Sequence, residues 1–395
     1  MRSIPLLVLL LAVADAPAGQ TSSRVQEQAL EELRVAAERA HSDAVLVLHD
    51  GVPVAEWYFD QERRPVELMS VLKSIVGLGV GRLLALGLLD SLDQPVYAFY
   101  PEWNQGRKRE ITVRHLLAHT SGLQDVPNAG AEIYPSPDAI RLALAAELSE
   151  DPGSAFRYNN KATNLLAGII EEAYGQRMDQ FFVNEFFRPM GIDQYRWYYD
   201  PSGTPHAMAG LELHARDLAK FGQLVLDGGL WGGERLVSAG YIAEMLGQSQ
   251  PHYPPYGLLW WRLPSETRYV LDEARLVELS EAGVARDDVA RLRSLVGSTF
   301  TARTDLDAAL EGALGPGWRE ALVGLFQGAD ADDVFRREYD DFVAFYGDGY
   351  LGQTLMIVPA HKIVAVRQVR GDNEYDTETD GFIEFKRLVL NLIKN

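Results

Sequence analysis

The sequence of 395 residues contains no cysteine. Disulfide bonds, cysteine nucleophiles and thiolate metal sites are therefore excluded. Positive charge is also scarce, because 37 lysines and arginines stand against 56 aspartates and glutamates, which gives a net charge of −19. This balance argues against nucleic acids and anionic membrane surfaces as partners. The 47% of hydrophobic residues is ample for a globular core.

The first residues are typical of an export signal. Arg2 gives a positive start, the stretch Ile4–Val13 is apolar, and small residues follow up to Ala18. We expect a signal peptide over residues 1–18, cut after Ala18. The alternative is a membrane anchor, but the apolar run is too short to span a bilayer. The sequence thus predicts a periplasmic or secreted protein without a stable membrane anchor.

Strand patterns lie at both ends of the chain, and helical patterns lie between them. Asp50-Gly51 is a hairpin turn between two apolar runs, and a second hairpin turns at Pro359. We predict one domain over 27–395 with an α/β fold of the α+β type: an antiparallel sheet built from both chain ends and flanked by helices, with a mostly helical subdomain inserted. The predicted strands cover 44–49, 54–59, 353–358 and 363–368, and the predicted helices cover 26–40, 113–118, 137–149, 162–174, 178–187, 215–228 and 380–394.

Ser70 stands three residues before Lys73, at the start of a strongly apolar run. Residues three apart share a helix face, so the Ser70 hydroxyl and the Lys73 amine can meet. A helix N-terminus favours negative charge on the serine oxygen, and a partly desolvated lysine can take its proton. The alternative is a helix-capping serine beside a solvated lysine. The spacing predicts a serine nucleophile with a lysine base.

Tyr158-Asn159-Asn160 stands directly before a predicted helix. A lysine ammonium close to Tyr158 would favour the phenolate and ease proton transfer. The amide of Asn160 can both donate to a substrate and accept from it. The alternative is an ordinary helix entry, which the tripeptide alone favours.

The stretch from Gly347 to Gln353 enters the second hairpin and is rich in glycine. Glycines let a strand edge approach a ligand closely, and a backbone N–H on such an edge can hold an oxyanion. The alternative is a glycine-rich turn with no further role.

His115 and His119 form a possible metal pair on a helix face. They lack the glutamate of the zinc-protease motif, and no clear third ligand follows them. We therefore predict no metal and no organic cofactor.

Together these segments resemble the serine β-lactamase-like superfamily, which includes class C β-lactamases, D-amino-acid peptidases, family VIII-type esterases and nylon-oligomer hydrolases. The likeness covers about residues 27–262 and 345–394. Its most specific part is the segment ITVRHLLAHTSGL at 111–123. Serine-x-x-lysine is also a known signature of penicillin-interacting serine hydrolases. In that setting Ser70 matches the nucleophile and Lys73 its lysine, and the tyrosine-x-asparagine motif matches Tyr158 and Asn160.

Penicillin-recognising members of the superfamily carry a third motif after the serine-x-x-lysine and tyrosine-x-asparagine motifs, and this chain departs from it. They carry Lys-Thr-Gly or a histidine variant, whereas this chain has Gly347-Asp348-Gly349. The cation for a substrate carboxylate is therefore missing. The stretch from Gly349 resembles the nylon-oligomer hydrolase and esterase branch, which argues against β-lactam turnover and leaves acyl-enzyme chemistry intact. By analogy, the backbone N–H groups of Ser70 and Tyr350 form the oxyanion hole.

A second departure is an insertion at about 263–345, where the superfamily leads us to expect far fewer residues. Helical patterns occur at 272–281, 287–296 and 318–326. Both ends of the insertion adjoin segments assigned to the site, so we expect a folded cap over the active-site mouth. The alternative is a decoration on the far edge of the sheet.

The sequence thus predicts an exported serine hydrolase that cleaves an ester or amide bond of a small molecule. The reaction passes through an acyl-enzyme on Ser70, with Lys73 and Tyr158 as general base and acid. The alternatives are a β-lactamase, a D-amino-acid peptidase or carboxypeptidase, and a catalytically inactive exported binding protein on the same scaffold.

Overall fold

The computed structural model describes residues 25–59, 62–126, 128–319, 334–371 and 382–393. The predicted signal peptide at 1–18 lies outside these residues. Within the described ranges, no helix is both long enough and apolar enough to cross a bilayer.

In the described part of the chain, most of the α-helices lie between the two terminal groups of strands. A π-helical turn, Val183–Phe187, joins α7 to α8. The α-helices are α1 Glu27–Arg39, α2 Val71–Ala85, α3 Val113–Leu117, α4 Ala129–Glu132, α5 Ala139–Ala145, α6 Asn160–Tyr174, α7 Met178–Phe182, α8 Arg188–Met190, α9 Ala215–Leu226, α10 Ala239–Leu246, α11 Glu273–Glu281, α12 Arg286–Leu292, α13 Arg303–Leu314 and α14 Phe385–Asn391.

The strands form one large sheet and several small ones. They are β1 Ala44–His49, β2 Val52–Tyr58, β3 Val66–Glu67, β4 Arg196–Trp197, β5 Leu211–Leu213, β6 Leu230–Trp231, β7 Glu234–Arg235, β8 Trp261–Pro264, β9 Thr267–Val270, β10 Thr299–Phe300, β11 Arg336–Tyr339, β12 Phe342–Gly349, β13 Gln353–Val358 and β14 Ile363–Gln368.

The large sheet has six antiparallel strands in the order β2-β1-β14-β13-β12-β8. The first hairpin lies beside the last, so that Ala44 pairs with Gln368 and His49 pairs with Ile363. The prediction of an antiparallel sheet built from both chain ends and flanked by helices is therefore confirmed.

The two faces of this sheet pack against different helices, because side chains alternate along a strand. Leu46 and Leu48 belong to the larger core, which contains α2, α6 and α9. Val45 and Val47 belong to a second core, which is covered by α1 and α14. The sheet thus separates the helical body of the protein from the pair of terminal helices.

Helix α2 runs through the larger core, with twelve of its fifteen residues buried. A helix that is apolar all round is stable only when it is enclosed. Small residues let its neighbours come close, since a Cβ at Gly79 would lie 2.6 Å from the ring of Phe182. The start of α2 is consequently held in a fixed place against the sheet.

Two predicted helices differ from the structure in extent. The helix predicted over 137–149 ends at Ala145, because the following backbone is extended and Leu148 forms a β-bridge with Leu123. The helix predicted over 178–187 is interrupted by the π-helical turn. Helix propensity is a property of single residues, so it does not predict either of these tertiary effects.

The insertion begins where the β8–β12 pair ends, at Pro264 and Phe342. The chain continues this ribbon as β9 and β11, which join β10 in a separate three-stranded sheet. Helices α11, α12 and α13 pack on it around a core of their own, with Leu276, Leu292 and Leu310 fully buried. The insertion is a folded unit at the end of a sheet ribbon, and the pattern predicted at 318–326 lies largely outside the described residues.

Candidate active site

Ser70 is the N-cap residue of α2, and its side chain does not cap the helix. The preceding residue, Met69, has a left-handed backbone with φ of 48°. This conformation is strained for a residue other than glycine, and such strain is concentrated at functional sites. The turn places Ser70 on the wall of a cavity, where its hydroxyl is available for chemistry.

Lys73 lies at the third position of α2 and is only 1% exposed. Its Nζ is 2.9 Å from Oγ of Ser70 and 2.8 Å from the carbonyl oxygen of Met208. Burial lowers the pKa of Lys73 to about 7, although the charge of Asp125 acts in the opposite direction. A large share of the amine is therefore neutral at pH 7 and can accept the proton of Ser70.

Tyr158 lies close enough to Ser70 for their side chains to interact. The centre of its ring lies 5.0 Å from Nζ of Lys73. Burial raises the pKa of Tyr158 well above its ordinary value, and the charges of Asp348 and Asp125 add to that rise. The expectation that the nearby lysine favours a phenolate is therefore wrong, because desolvation dominates. Tyr158 remains a neutral phenol, which can donate a proton.

His119 is fully buried beside Tyr158, with the two ring centroids 4.5 Å apart. Its Nδ1 accepts the N–H of Asn159 at 3.1 Å, and its carbonyl oxygen accepts the N–H of Arg157 at 2.8 Å. One residue thus holds the backbone on both sides of Tyr158. Because Nδ1 accepts, the neutral ring carries its proton on Nε2, which has no hydrogen-bond partner among the described residues.

The two histidines do not lie together on a helix face. Helix α3 ends at Leu117, and His119 follows in a left-handed conformation with φ of 54°. Nδ1 of His115 accepts the N–H of Thr112 and so completes a capping box. In the part of the chain that the structure describes, no three His, Cys, Asp or Glu side chains are grouped so that they could hold a metal ion.

Beyond Tyr346, strand β12 no longer pairs with β8, and this stretch packs against the start of α2. A Cβ at Gly347 would lie 2.7 Å from Oγ of Ser74, and one at Gly349 would lie 2.8 Å from the carbonyl oxygen of Leu68. A larger residue would push the strand away from the helix. The glycine motif therefore brings the strand edge against the turn that carries the nucleophile.

The side chain of Asp348 lies on the face of the sheet away from α2, because neighbouring positions of a strand alternate between the two faces and Gly347 and Gly349 face α2. Its carboxylate lies 3.0 Å from Nζ of Lys386 in α14, and it accepts a hydrogen bond from Thr354 at 3.4 Å. Asp348 is not among the residues that line the cavity. The carboxylate of Asp348 is thus paired with Lys386 on the face of the sheet that lies away from α2.

Tyr350 follows β12 in a 3₁₀ turn, lines the cavity and is 67% exposed. The fully buried Arg367 donates to the carbonyl oxygens of Leu351 and Gly352 at 3.3 and 3.0 Å. Leu351 also has a left-handed backbone, with φ of 68°. These contacts fix the turn that carries Tyr350 at the strand end nearest to Ser70.

Asn160 is the first residue of α6 and lines the cavity. Its neighbour Asn159 caps the helix by accepting the N–H of Ala162 at 2.7 Å. The backbone N–H of Asn160 donates to Asp125 at 3.4 Å, and burial raises the pKa of Asp125 to about 6. The structure therefore brings Ser70, Tyr350 and Asn160 to one cavity, with Lys73 buried directly behind the serine.

The cavity beside Ser70 has a volume of about 920 Å³. Glu67, Tyr198, Asn128, Ala129, Gly130 and Tyr134 also line it. None of the described residues of the insertion at 263–345 lines it. The described part of the insertion therefore gives no support to a cap over the mouth, and it leaves the sheet at the β8–β12 edge, not at the far edge that the alternative proposed.

Sequence reasoning missed the carbonyl oxygen of Met208 as a partner of Lys73. Oδ1 of Asn164 accepts the N–H groups of Ala207 and Met208 at 3.0 and 3.2 Å, which orients this peptide. Asn164 is one helical turn after Asn160, and that spacing is the only sequence sign of its role. Backbone groups carry no residue signature, so a pattern could not reveal the Met208 contact.

Comparisons with known proteins show the family of the chain. Residues 28–384 match the model of the Beta-lactamase family. The chain is 30% identical over 237 residues to 6-aminohexanoate-dimer hydrolase of Paenarthrobacter ureafaciens, a match that covers 55% of this chain and 60% of that protein.

Solved structures share the fold. An octameric penicillin-binding protein homologue from Pyrococcus abyssi has a TM-score of 0.59 at 19% identity, over 93% of this chain and 77% of the other. A beta-lactamase from Mycobacterium bovis has a TM-score of 0.54 at 18% identity, over 93% of this chain and all of the other (100%). Because the family model spans nearly all of the described residues, the chain belongs to the Beta-lactamase family.

Proposed function

We propose that this protein is a serine hydrolase that cleaves an ester or amide bond in a small molecule through an acyl-enzyme on Ser70. The observation that carries the proposal is the buried amine of Lys73, 2.9 Å from Oγ of Ser70, with its pKa lowered to about 7. A base with a pKa close to the working pH is the most effective proton acceptor.

In the first step, neutral Lys73 takes the proton of Ser70 while Oγ forms a bond to the carbonyl carbon of the substrate. The carbonyl oxygen gains the electron pair, and the backbone N–H groups of Ser70 and Tyr350 hold this oxyanion. The neutral phenol of Tyr158 then gives its proton to the leaving group as the carbonyl–leaving-group bond breaks. Tyr158 recovers a proton from the Lys73 ammonium, which restores the base for attack by water.

The charge of the cavity supports an ester or amide substrate over a β-lactam. None of the described residues that line the cavity is a lysine or arginine. A β-lactam carboxylate would therefore lack the charge-assisted contact that penicillin-recognising relatives provide, a contact worth about 1.5–3 kcal/mol. Asp348 does not add repulsion from within the cavity, since it is paired with Lys386 on the other face of the sheet.

We further propose that the protein acts after export, in the periplasm or outside the cell. The pattern over residues 1–18 supports this location. Cell fractionation with an antibody, together with N-terminal sequencing of the mature protein, tests it. Recovery of the full chain in the cytoplasm would overturn it.

A fluorophosphonate probe tests the hydrolase proposal directly, because it labels only an activated serine. We expect the wild-type protein to be labelled at Ser70 and to hydrolyse short p-nitrophenyl esters. Ser70→Ala should abolish both without a change in melting temperature, since only the nucleophilic oxygen is removed. A folded wild-type protein that is neither labelled nor active would be a binding protein on the same scaffold.

A further inference from the structure

We propose that Arg367 is a positioning residue for the oxyanion hole and that the terminal helices α1 and α14 support the hole through it. This inference rests on the proposed function, because it concerns the backbone N–H of Tyr350 in the same site. Arg367 lies in β14 and is not among the residues that line the cavity. It therefore acts on the reaction only through the turn that carries Tyr350.

The turn Tyr350–Gly352 has a backbone shape that needs support from its surroundings. Leu351 and Gly352 both have left-handed backbones, with φ of 68° and 80°. Glycine adopts this conformation readily, but leucine does not. A residue in a disfavoured conformation keeps it only when neighbouring groups fix it. The position of the Tyr350 N–H consequently depends on what holds the turn.

Arg367 holds the turn by its carbonyl oxygens. One nitrogen, Nη1, donates to the carbonyl oxygens of Leu351 at 3.3 Å and Gly352 at 3.0 Å. The other two nitrogens have acceptors outside the turn, since Nε donates to Oγ of Ser42 and Nη2 donates to the carbonyl oxygen of Ala40, each at 2.7 Å. A guanidinium is planar and rigid, so these bonds fix its orientation and the direction of the two carbonyls.

The other end of the turn is anchored in the sheet. Gly349 pairs with Gln353 in the β12–β13 ladder. The fully buried side chain of Gln353 binds both backbone groups of Val369, and its Oε1 accepts the N–H at 3.1 Å. Tyr350 lies between this anchor and the carbonyls that Arg367 holds. Because peptide groups are planar, the two anchors together set the direction of the Tyr350 N–H.

Arg367 reaches the turn from the face of the sheet that carries the terminal helices. It stands opposite Val45, which belongs to the second core beneath α1 and α14. Ala40, one of its acceptors, is the C-cap residue of α1, and a cation is favoured at the C-terminus of a helix. The ring of Phe382, just before α14, lies 5.1 Å from the guanidinium carbon. The packing of both terminal helices thus holds the buried guanidinium in place.

A second contact from α14 acts on the strand that leads into the turn. Nζ of Lys386 lies 3.0 Å from the carboxylate of Asp348, two residues before Tyr350, and 4.5 Å from the centre of the Tyr346 ring. The pair is partly exposed to solvent, so it contributes less than the buried guanidinium. Both contacts place the support of the oxyanion hole on the face of the sheet away from α2.

Transition-state binding tests the inference, because an oxyanion-hole donor acts on the transition state more than on the substrate. Arg367→Met keeps an apolar stem and removes every donor, whereas Arg367→Lys keeps the charge but not the planar fork. Hydrolysis of p-nitrophenyl acetate is expressed per active site, and active sites are counted by complete labelling with a fluorophosphonate. Loss of folded protein lowers the count of sites, whereas misplacement of the turn lowers the rate per site.

Inhibition by phenylboronic acid provides the second measurement. Oγ of Ser70 gives an electron pair to boron while Lys73 takes the serine proton, and the tetrahedral boronate places an oxygen in the oxyanion hole. We expect Arg367→Met to lower kcat/KM per site about 10- to 100-fold and to raise the inhibition constant by a similar factor. Arg367→Lys should fall between Arg367→Met and the wild type in both measurements.

Ile363→Ala is the matched control. Ile363 lies on the same strand and face as Arg367, about 13 Å away, and is buried in the second core. Its truncation should lower the melting temperature but leave kcat/KM per site and the inhibition constant unchanged.

Lys386→Met serves if neither Arg367 variant folds, since a partly exposed ion pair can be removed without unfolding the protein. It should lower kcat/KM per site and raise the inhibition constant, each about two- to fivefold. If it is the only variant that folds, wild-type values in both measurements would overturn the inference.

Wild-type values of both measurements in the Arg367 variants would also overturn the inference. The same holds if Ile363→Ala changes both as strongly as Arg367→Met, because any loss of stability would then have this effect. In these cases the wild type is still labelled and active, so the hydrolase proposal stands. A wild-type protein that is neither labelled nor active overturns both proposals.

Discussion

His119 contacts Tyr158 and both of its chain neighbours. Its ring packs on the tyrosine ring at a centroid distance of 4.5 Å, its Nδ1 accepts the N–H of Asn159, and its carbonyl oxygen accepts the N–H of Arg157. In the described part of the chain, these two bonds hold the backbone on both sides of Tyr158. A proton donor must keep its geometry to within a fraction of an ångström to be effective. We therefore regard His119 as a positioning residue for Tyr158.

Replacement of His119 by phenylalanine should keep the ring packing but remove the acceptor for the N–H of Asn159. We expect kcat to fall about 10²-fold with little change in KM, because proton transfer is affected more than binding. His119→Asn is the matched control, since its side-chain oxygen can take the place of Nδ1 and should restore part of kcat. Equal kcat in the two variants would show that His119 only fills space.

The pKa of Lys73 predicts how activity depends on pH. The lysine is a base only when deprotonated, so kcat/KM should rise with pH up to about 7 and fall about tenfold for each unit below it. The charge of Asp125 raises the pKa of Lys73, so Asp125→Asn should move the profile toward lower pH. A profile that is flat between pH 5 and 8 would exclude Lys73 as the base.

The same buried amine should reduce the stability of the fold. Lys73 has a lower pKa when folded than when unfolded, so the unfolded chain binds more protons between pH 7 and 10.5 and stability rises with pH in that window. We expect Lys73→Met to be inactive but more stable at pH 7, by roughly 1–3 kcal/mol in denaturant unfolding. The gap should narrow as the pH approaches 10.5. A less stable variant would mean that the contact with Met208 outweighs desolvation.

Gly349→Ala should disturb the site through a steric clash and not through backbone strain. The backbone φ of −138° suits alanine, but the added Cβ would lie 2.8 Å from the carbonyl oxygen of Leu68. Either the strand or the turn before Ser70 must move, so we expect kcat/KM to fall at least about tenfold and unfolding to become easier by about 1–3 kcal/mol.

Gly240→Ala is the control for that change, because nothing lies within 4 Å of its Cβ position in α10. It should leave activity unchanged and increase helix stability by up to about 1 kcal/mol. Steady-state kinetics and thermal unfolding of both variants provide the test. Full activity of Gly349→Ala would show that the glycine is not needed for the approach of β12 to α2.

The insertion should be removable without loss of activity. Its attachment at Phe342 lies seven residues from Gly349, or about 23 Å along an extended strand. A variant in which a short Gly/Ser linker replaces residues 268–340 should fold, because the insertion has a separate core. We expect its preference among short and long aryl esters to match the wild type. A changed preference would restore the idea of a cap.

Much of the fold can be predicted because its signals are local. The turn Asp50-Gly51 and the alternating strands beside it specify the first hairpin, and the spacing of Ser70 and Lys73 survives folding because both occupy one helix. The full burial that lowers the pKa of Lys73 could not be predicted from a local pattern, since it is set by packing of the whole larger core. The sequence could only suggest it from the apolar run that follows.

Other features depend on long-range placement that no pattern encodes. The side of the sheet on which Asp348 lies, and its pairing with Lys386, follow from strand alternation and the docking of α14. The acidity of the cavity follows from the register of β3 and β5, two very short strands without a clear periodicity. The position of the insertion also depends on long-range placement, because its ends adjoin site segments in sequence but leave the sheet at the far end of β12.

The pairing of β1 with β14 has a consequence for the order of synthesis. Ala44 emerges from the ribosome long before its partner Gln368. Closing a loop of that length is slow and entropically costly. The nascent chain must therefore expose the free edge of β1 until Gln368 has been translated, and the centre of the sheet forms only after that.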